Sequence, residues 1–276
     1  RGFGTNGFDG ERLDTAVRRF LALGGRHFDT ALLYENHHDL AASLARAAVP
    51  RNEVFLSSKI PPGEFGYEAT EAAISRLLEE LNTPYVDLVL MHWPSAFDPS
   101  APSPACASGA DGWRACRRST WQAMEAMHRR GKIRALGVSN FNERHLRDIL
   151  ELPGRTAAVA VNQIEFHPWW PQRALRSYCK EQGIAITAFG SLGGSHMGGI
   201  MLRAPMVVDI ARQHSKTPAQ VLLRWAVQQG IAVIPSTTSE DRMANNLDVV
   251  DWVLDAEAMR VLGSVSRGEQ MKVFQP

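Results

Sequence analysis

The feature that most constrains the fold is an alternation of short apolar segments with helix-like segments along all 276 residues. About eight segments have the composition of strands, and almost all are followed by residues with helical spacing of apolar side chains. The strand-like segments are residues 2–7 together with their turn, His27–Asp29, Val54–Lys59, Val86–His92, Ile133–Val138, Ala158–Ile164, Ile184–Phe189 and Ile231–Ile234. This alternation predicts a parallel sheet, and eight units predict closure into a (β/α)8 TIM barrel. We therefore expect one domain over residues 1–276, with an open doubly wound sheet as the alternative.

Residues 2–7 match the letters of a dinucleotide-binding fingerprint, G-x-G-x-x-G. That fingerprint normally follows a strand and opens a helix, and here no strand precedes it. We interpret these residues as the first barrel strand and its turn. Because the chain starts at this strand, an earlier N-terminal segment could be missing.

The charge balance argues against several classes of partner. The net charge is +1, with acidic and basic residues scattered along the chain, so we expect neither a nucleic-acid surface nor a surface for anionic membranes. No apolar run reaches the length of a membrane span. Three cysteines without metal-like spacing, and no N-glycosylation sequon, indicate a reducing, cytoplasmic compartment. We predict a monomer or a weak homo-oligomer and no metal site.

Four polar side chains lie at or just after strand ends. Asp29, Lys59 and His92 each close a strand, and Tyr34 follows Asp29 by five residues. Each taken alone has an ordinary structural explanation, such as a salt bridge at the barrel rim or a partly buried aromatic ring. Together they lie on the rim where barrels of this type place their active sites. We therefore interpret them as a proton-delivery set for carbonyl reduction.

The chemistry of this set assigns a role to each member. A phenol has a pKa near 10, which is high for a proton donor at neutral pH, and a nearby ammonium lowers it. We expect Lys59, held by Asp29, to lower the pKa of Tyr34 in this way. His92 would then orient the carbonyl group.

Two long loops are predicted on the same rim. Residues 95–112 are rich in Pro, Ala, Ser and Gly and follow the strand of His92, and residues 190–199 are rich in glycine. Long loops in compact domains are commonly functional. We expect the first loop to border the substrate.

The chain resembles an aldo-keto reductase over nearly its whole length. The motifs that carry the resemblance are residues 25–34, Lys59, Asp87–Pro94, Gly131–Phe141, Val161–Pro168, Thr217–Trp225 and Ile234-Pro235. The resemblance implies NAD(P)H-dependent reduction of an aldehyde or ketone to an alcohol. It places the family's catalytic residues on Asp29, Tyr34, Lys59 and His92.

The resemblance also implies a set of cofactor and substrate contacts. It assigns the nicotinamide carboxamide to Ser139, Asn140 and Gln163, whose side chains offer both donors and acceptors. Other implied cofactor residues are Phe189, which would stack on the nicotinamide ring, and Gly190, Ser191, Leu192, Ser236, Thr237, Arg242, Asn245 and Asn246. Asn6 and Trp93 are implied to line the substrate pocket.

Departures from the family pattern bear on cofactor choice. Ser236 stands where a Lys often contacts the 2′-phosphate of NADPH, whereas Arg242 keeps a second phosphate partner. We predict NADPH as cofactor, with NADH as the alternative, and a small carbonyl compound as substrate. Asn6 replaces a Trp common in the pocket, which predicts an open pocket. A different function on the same barrel, a nucleotide-binding sensor or scaffold with little turnover, is disfavoured by the complete set of four side chains.

Overall fold

The computed structural model describes residues 1–96, 106–107 and 109–265, and the central element in them is one sheet of eight parallel strands. The strands are β1 (Phe3–Gly4), β2 (His27–Asp29), β3 (Phe55–Ile60), β4 (Val86–Met91), β5 (Ile133–Ser139), β6 (Val161–Glu165), β7 (Ala185–Phe189) and β8 (Ala232–Val233). Each strand pairs with the next one in the chain. All six residues of β4 are buried, as expected for a parallel sheet covered on both faces.

The sheet closes through backbone hydrogen bonds between its first and last strands. Gly2 N–H donates to the carbonyl oxygen of Val233 at 2.8 Å, and Gly4 N–H donates to that of Pro235 at 3.3 Å. A Cβ atom on Gly4 would lie 2.9 Å from the carbonyl oxygen of Ile234, so the closing strands approach too closely for a side chain there. The prediction of a (β/α)8 barrel is confirmed.

Helices surround the barrel between the strands. They are α1 (Gly10–Ala22), α2 (His37–Arg46), α3 (Tyr67–Glu80), α4 (Gly109–Arg129), α5 (Glu143–Leu150), α6 (Arg173–Glu181), α7 (Gly194–Met201), α8 (Pro205–Gln213), α9 (Pro218–Val227), α10 (Glu240–Leu247) and α11 (Ala256–Gly263). Short 3-10 helices cover Leu32–Tyr34, Arg51–Glu53 and Pro62–Glu64.

Local sequence explains several of the helix ends. The side chain of Asn142 accepts a hydrogen bond from His145 N–H and begins α5. Thr217 and Gln220 form a reciprocal capping box at the start of α9, where Pro218 occupies the first turn. These caps satisfy backbone N–H groups that would otherwise lack partners at the helix start.

Two predicted loops differ from the structure. Helix α4 begins at Gly109, so the last part of the loop predicted over residues 95–112 is helical, while residues 97–105 and 108 lie outside the described residues. Helix α7 occupies much of the loop predicted over residues 190–199. The first loop was predicted from its Pro, Ala, Ser and Gly content and the second from its glycines. Glycine, however, costs only about 1 kcal/mol within a helix, and tertiary packing offsets that cost.

The cysteine interpretation needs a correction. Cys106 and Cys116 form a disulfide, with Cα atoms 5.4 Å apart, and Cys179 is free and buried. Disulfides are uncommon in reducing compartments, so the cysteines no longer support such a compartment. None of the described helices is both long enough and apolar enough to cross a membrane.

Candidate active site

A buried ion pair lies at the carboxyl ends of β2 and β3. Lys59 Nζ donates to Asp29 Oδ1 at 2.5 Å and to the carbonyl oxygen of Thr30 at 2.9 Å. Both charged side chains are at most 3% exposed. Burial alone would raise the pKa of Asp29, but the Lys59 ammonium holds it below its usual value. Burial would likewise lower the pKa of Lys59, and the Asp29 carboxylate keeps it raised, so the pair is ionised at neutral pH.

Tyr34 is held beside this pair by the 3-10 helix that follows β2. Lys59 Nζ lies 3.4 Å from the Tyr34 hydroxyl and 5.0 Å from the centre of its ring. We expected Lys59 to lower the pKa of the phenol, but the net direction is upward. Burial raises the pKa of Tyr34 most, and the Asp29 carboxylate adds to the rise and offsets the ammonium. The phenol is therefore protonated at neutral pH.

His92 follows β4 and faces Tyr34. The two rings pack edge to face with centroids 5.7 Å apart, and Trp93 stacks on His92 at 6.4 Å. Burial, with the Lys59 charge, lowers the pKa of His92 to about 3, so the imidazole is neutral at physiological pH. Its Nδ1 is buried without a hydrogen-bond partner among the described residues. Its Nε2 is therefore the ring nitrogen left to contact a ligand.

These side chains form the floor of a cleft of about 790 Å³. Most of the site residues predicted from the sequence border it, namely Asn6, Asp29, Tyr34, His92, Trp93, Ser139, Asn140, Gln163, Phe189, Gly190, Ser191, Leu192, Ser236 and Arg242. Lys59 lies beneath the floor, only 1% exposed. Thr237, Asn245 and Asn246 do not border the cleft.

Two amide side chains form a polar wall of the cleft. Asn140 has a left-handed backbone conformation, with φ of 63°, at the end of β5. The backbone N–H of Asn140 and the hydroxyl of Ser139 both donate to the backbone carbonyl oxygen of Gln163 at 2.9 Å. The side-chain Nδ2 of Asn140 donates to the backbone carbonyl oxygen of His92. Gln163 Nε2 donates to Asp29 Oδ2 at 2.8 Å. Within the described residues, Asn140 Oδ1 and Gln163 Oε1 accept no hydrogen bond, so they fit the donors of a ligand carboxamide.

Some residues that border the cleft were not predicted from the sequence. They are Gly4, Leu33, Gly194, Gly198, Gly199, Leu202, Ile234 and Pro235. Two sequence signals could have identified part of this set. Gly4 lies in the first strand, where it permits the close approach of β1 to β8, and the glycines of α7 lie in the glycine-rich segment of residues 190–199. Leu33 gave no sequence signal beyond its position before Tyr34, although it is 51% exposed beside the cleft.

Comparison with known proteins agrees with this geometry. The model of the Aldo/keto reductase family matches residues 2–267. The chain belongs to the aldo/keto reductase family. The resemblance noted in the sequence is thereby confirmed.

Similar aldo/keto reductases differ in their named substrates. The 9,11-endoperoxide prostaglandin H2 reductase of Trypanosoma cruzi is 36% identical over 95% of this chain and 86% of its own length. The glyoxal reductase of Bacillus subtilis is 36% identical over 95% of this chain and 87% of its own. A crystal structure of an aldo-keto reductase from a Medee basin deep-sea metagenome library superposes with a TM-score of 0.87 at 33% identity, covering 99% of this chain and 92% of that one. Membership identifies the chain as an oxidoreductase that acts on small carbonyl compounds with a nicotinamide cofactor.

Proposed function

We propose that this aldo/keto reductase reduces an aldehyde or ketone with NADPH and that Tyr34 is the general acid. The observation that carries the proposal is the meeting of a protonated phenol and a neutral imidazole at the floor of one cleft, with a buried ammonium directly beneath the phenol. Ser139, Asn140 and Gln163 would hold the nicotinamide carboxamide, and Phe189 would pack against the ring. When bound, the cofactor supplies a hydride from C4 of its nicotinamide.

The protonation states suit this role. Tyr34 carries the proton that the product oxygen needs, because its pKa is raised above that of a free phenol. As the proton leaves, negative charge develops on an oxygen 3.4 Å from the ammonium of the buried Lys59, which stabilises that charge. Lys59 therefore acts mainly on the charge that develops during the reaction. Neutral His92 would orient the carbonyl oxygen with Nε2–H.

The preference for NADPH rests on one side chain. Arg242 is the one Lys or Arg among the described residues that border the cleft, and its planar guanidinium suits a phosphate group. Ser236 also borders the cleft and carries no charge. We infer that Arg242 contacts the 2′-phosphate of the cofactor.

The remaining proposals concern substrate range, assembly and location. Asn6 is exposed at the cleft edge, which favours an open pocket and a broad range of carbonyl substrates. A monomer or weak homo-oligomer and a cytoplasmic location stay predictions. The Cys106–Cys116 disulfide counts against the cysteine argument for the second of these.

A turnover assay tests the proposed function. The protein is mixed with NADPH and a panel of activated aldehydes, and loss of the absorbance of the reduced cofactor is followed, with a control that lacks aldehyde. We expect consumption of NADPH that requires the aldehyde. Tight binding of NADPH without turnover across the panel would instead support the nucleotide sensor.

A further inference from the structure

A chain of hydrogen bonds continues behind the Asp29–Lys59 pair into the barrel interior. Asp29 Oδ1 faces Lys59, while Asp29 Oδ2 accepts from the Ser57 hydroxyl at 2.7 Å and from Gln163. The Ser57 oxygen in turn lies 3.1 Å from His27 Nε2. His27 and Asp29 are two residues apart on β2, and Ser57 is the register partner of Asp29 on β3, so all three side chains share the barrel interior.

The direction of these hydrogen bonds follows from the acceptor at the end of the chain. An ionised carboxylate can only accept hydrogen bonds, so the Ser57 hydroxyl donates its hydrogen bond to Asp29. The Ser57 oxygen must then accept from His27, which requires a proton on Nε2. Burial lowers the pKa of His27 to about 4, and the charges of Asp29, Lys59, Asp87 and the Arg1 amino group also act on this pKa. At neutral pH the ring is therefore neutral, and the proton on Nε2 is its only ring N–H proton. All donors therefore point toward Asp29.

We propose that Ser57 and His27 are positioning residues of the reductase. They fix the orientation of the Asp29 carboxylate, so that Oδ1 faces Lys59 while Oδ2 accepts the hydrogen bond of Ser57, whose oxygen is held by His27. This inference rests on the proposed function, because it assigns Lys59 a role in stabilising the Tyr34 oxygen. Lys59 Nζ is 2.5 Å from one carboxylate oxygen and 3.4 Å from the phenol, so rotation of the carboxylate would move the ammonium away from Tyr34. The hydroxyl of Ser57 opposes that rotation.

The next residue on β3 provides a matched control. Ser58 also bonds to a histidine, because its hydroxyl lies 3.0 Å from His37 Nε2, and His37 Nδ1 lies 2.8 Å from Glu80. Both serines are fully buried, but Ser58 bonds to a histidine of helix α2, and among the described residues it makes no hydrogen bond to Asp29. Removing either hydroxyl leaves the Nε2 atom of one histidine without its hydrogen-bond partner, yet only Ser57→Ala takes a donor from Asp29.

The test measures titration of the Asp29 carboxyl by carbon-13 NMR of the intact protein, with the signal assigned from Asp29→Asn. Loss of one hydrogen bond to the charged form should raise the midpoint by about one pH unit in Ser57→Ala. Ser57→Thr keeps the hydroxyl and should restore the wild-type midpoint. Ser58→Ala should leave it unchanged. Because His27→Gln keeps a side-chain donor and His27→Phe does not, only the second should raise the midpoint.

Turnover provides the second readout. We expect kcat of Ser57→Ala to fall by about tenfold, with unchanged cofactor affinity and with recovery in Ser57→Thr. If the wild-type protein shows no turnover, the proposed function fails, while the NMR titration still decides whether Ser57 holds Asp29. The proposal would be overturned if the Asp29 carboxyl titrated with the same midpoint in the wild type and in Ser57→Ala. It would also be overturned if Asp29 stayed ionised in both proteins until they unfolded. An equal shift in Ser58→Ala would overturn it too.

Discussion

Replacing Lys59 by Met should separate the role of the ion pair in stability from its role in catalysis. The substitution keeps most of the side-chain volume and removes the ammonium, so Asp29 stays 2% exposed with no counter-charge. Removal of one partner from a buried pair costs about 3–5 kcal/mol, because the remaining charge is left uncompensated. We expect the free energy of unfolding to fall by about that amount at pH 7.

The pH dependence of this loss has a defined sign. In the wild type the pKa of Asp29 is lowered, so its contribution to stability is present at neutral pH and is lost as the pH falls below about 4. Without Lys59, burial should raise the pKa of Asp29 above the unfolded value, and the carboxylate then destabilises the fold as the pH rises. Urea unfolding followed by circular dichroism should therefore show a larger difference between the two proteins at pH 8 than at pH 5.

Activity should respond differently. At 3.4 Å and an effective dielectric constant of about 20, an ammonium and a phenolate attract by about 5 kcal/mol before the opposing charge of Asp29 is counted. If half of that is lost, kcat falls by about a hundredfold. The double variant Asp29→Asn/Lys59→Met removes both charges, so it should recover stability without recovering turnover. Normal turnover in the double variant, or full stability of Lys59→Met at pH 8, would refute this reasoning.

Three further predictions concern the cofactor, the imidazole and barrel closure. Arg242→Ala should weaken NADPH binding by about tenfold or more and leave NADH binding nearly unaffected. Ser236→Lys should instead strengthen NADPH binding. Titration of cofactor fluorescence measures both effects. The pKa of His92 is lowered to about 3, so its imidazole should stay neutral between pH 5 and 8. Any change of kcat/KM with pH in that range should therefore persist in His92→Gln. Gly4→Ala places a methyl group 2.9 Å from the carbonyl oxygen that follows β8 and should lower the free energy of unfolding by about 1–3 kcal/mol in chemical denaturation. Gly63→Ala should cost little, because the position of an added Cβ there has open space around it.

The barrel could be predicted because strand and helix periodicities alternate clearly along the chain. Capping side chains at Asn142 and Ser239 mark the starts of helices α5 and α10 in the sequence. Helix α7 and the start of α4 were not predicted, because glycine-rich composition does not distinguish a loop from a helix that packs closely against its neighbours. The disulfide between Cys106 and Cys116 depends on three-dimensional proximity and left no pattern in three cysteines.

The site could be predicted as a set of residues but not in its electrostatics. The positions of Asp29, Lys59 and His92 at strand ends were enough to place them on one rim. The direction of the pKa change at Tyr34 was wrong, because it depends on burial and on how closely Asp29 neutralises Lys59. The hydrogen bond from Gln163 to Asp29 joins residues 134 positions apart, and no local pattern encodes such a contact.

The central claim is that the hydroxyl of Tyr34 delivers the proton, and Tyr34→Phe tests it most directly. This change removes one oxygen at the floor of the cleft and keeps the ring that packs against His92. Steady-state turnover with NADPH and an aldehyde should fall to background, while the dissociation constant of NADPH changes little. Turnover near the wild-type rate in Tyr34→Phe would show that another group supplies the proton.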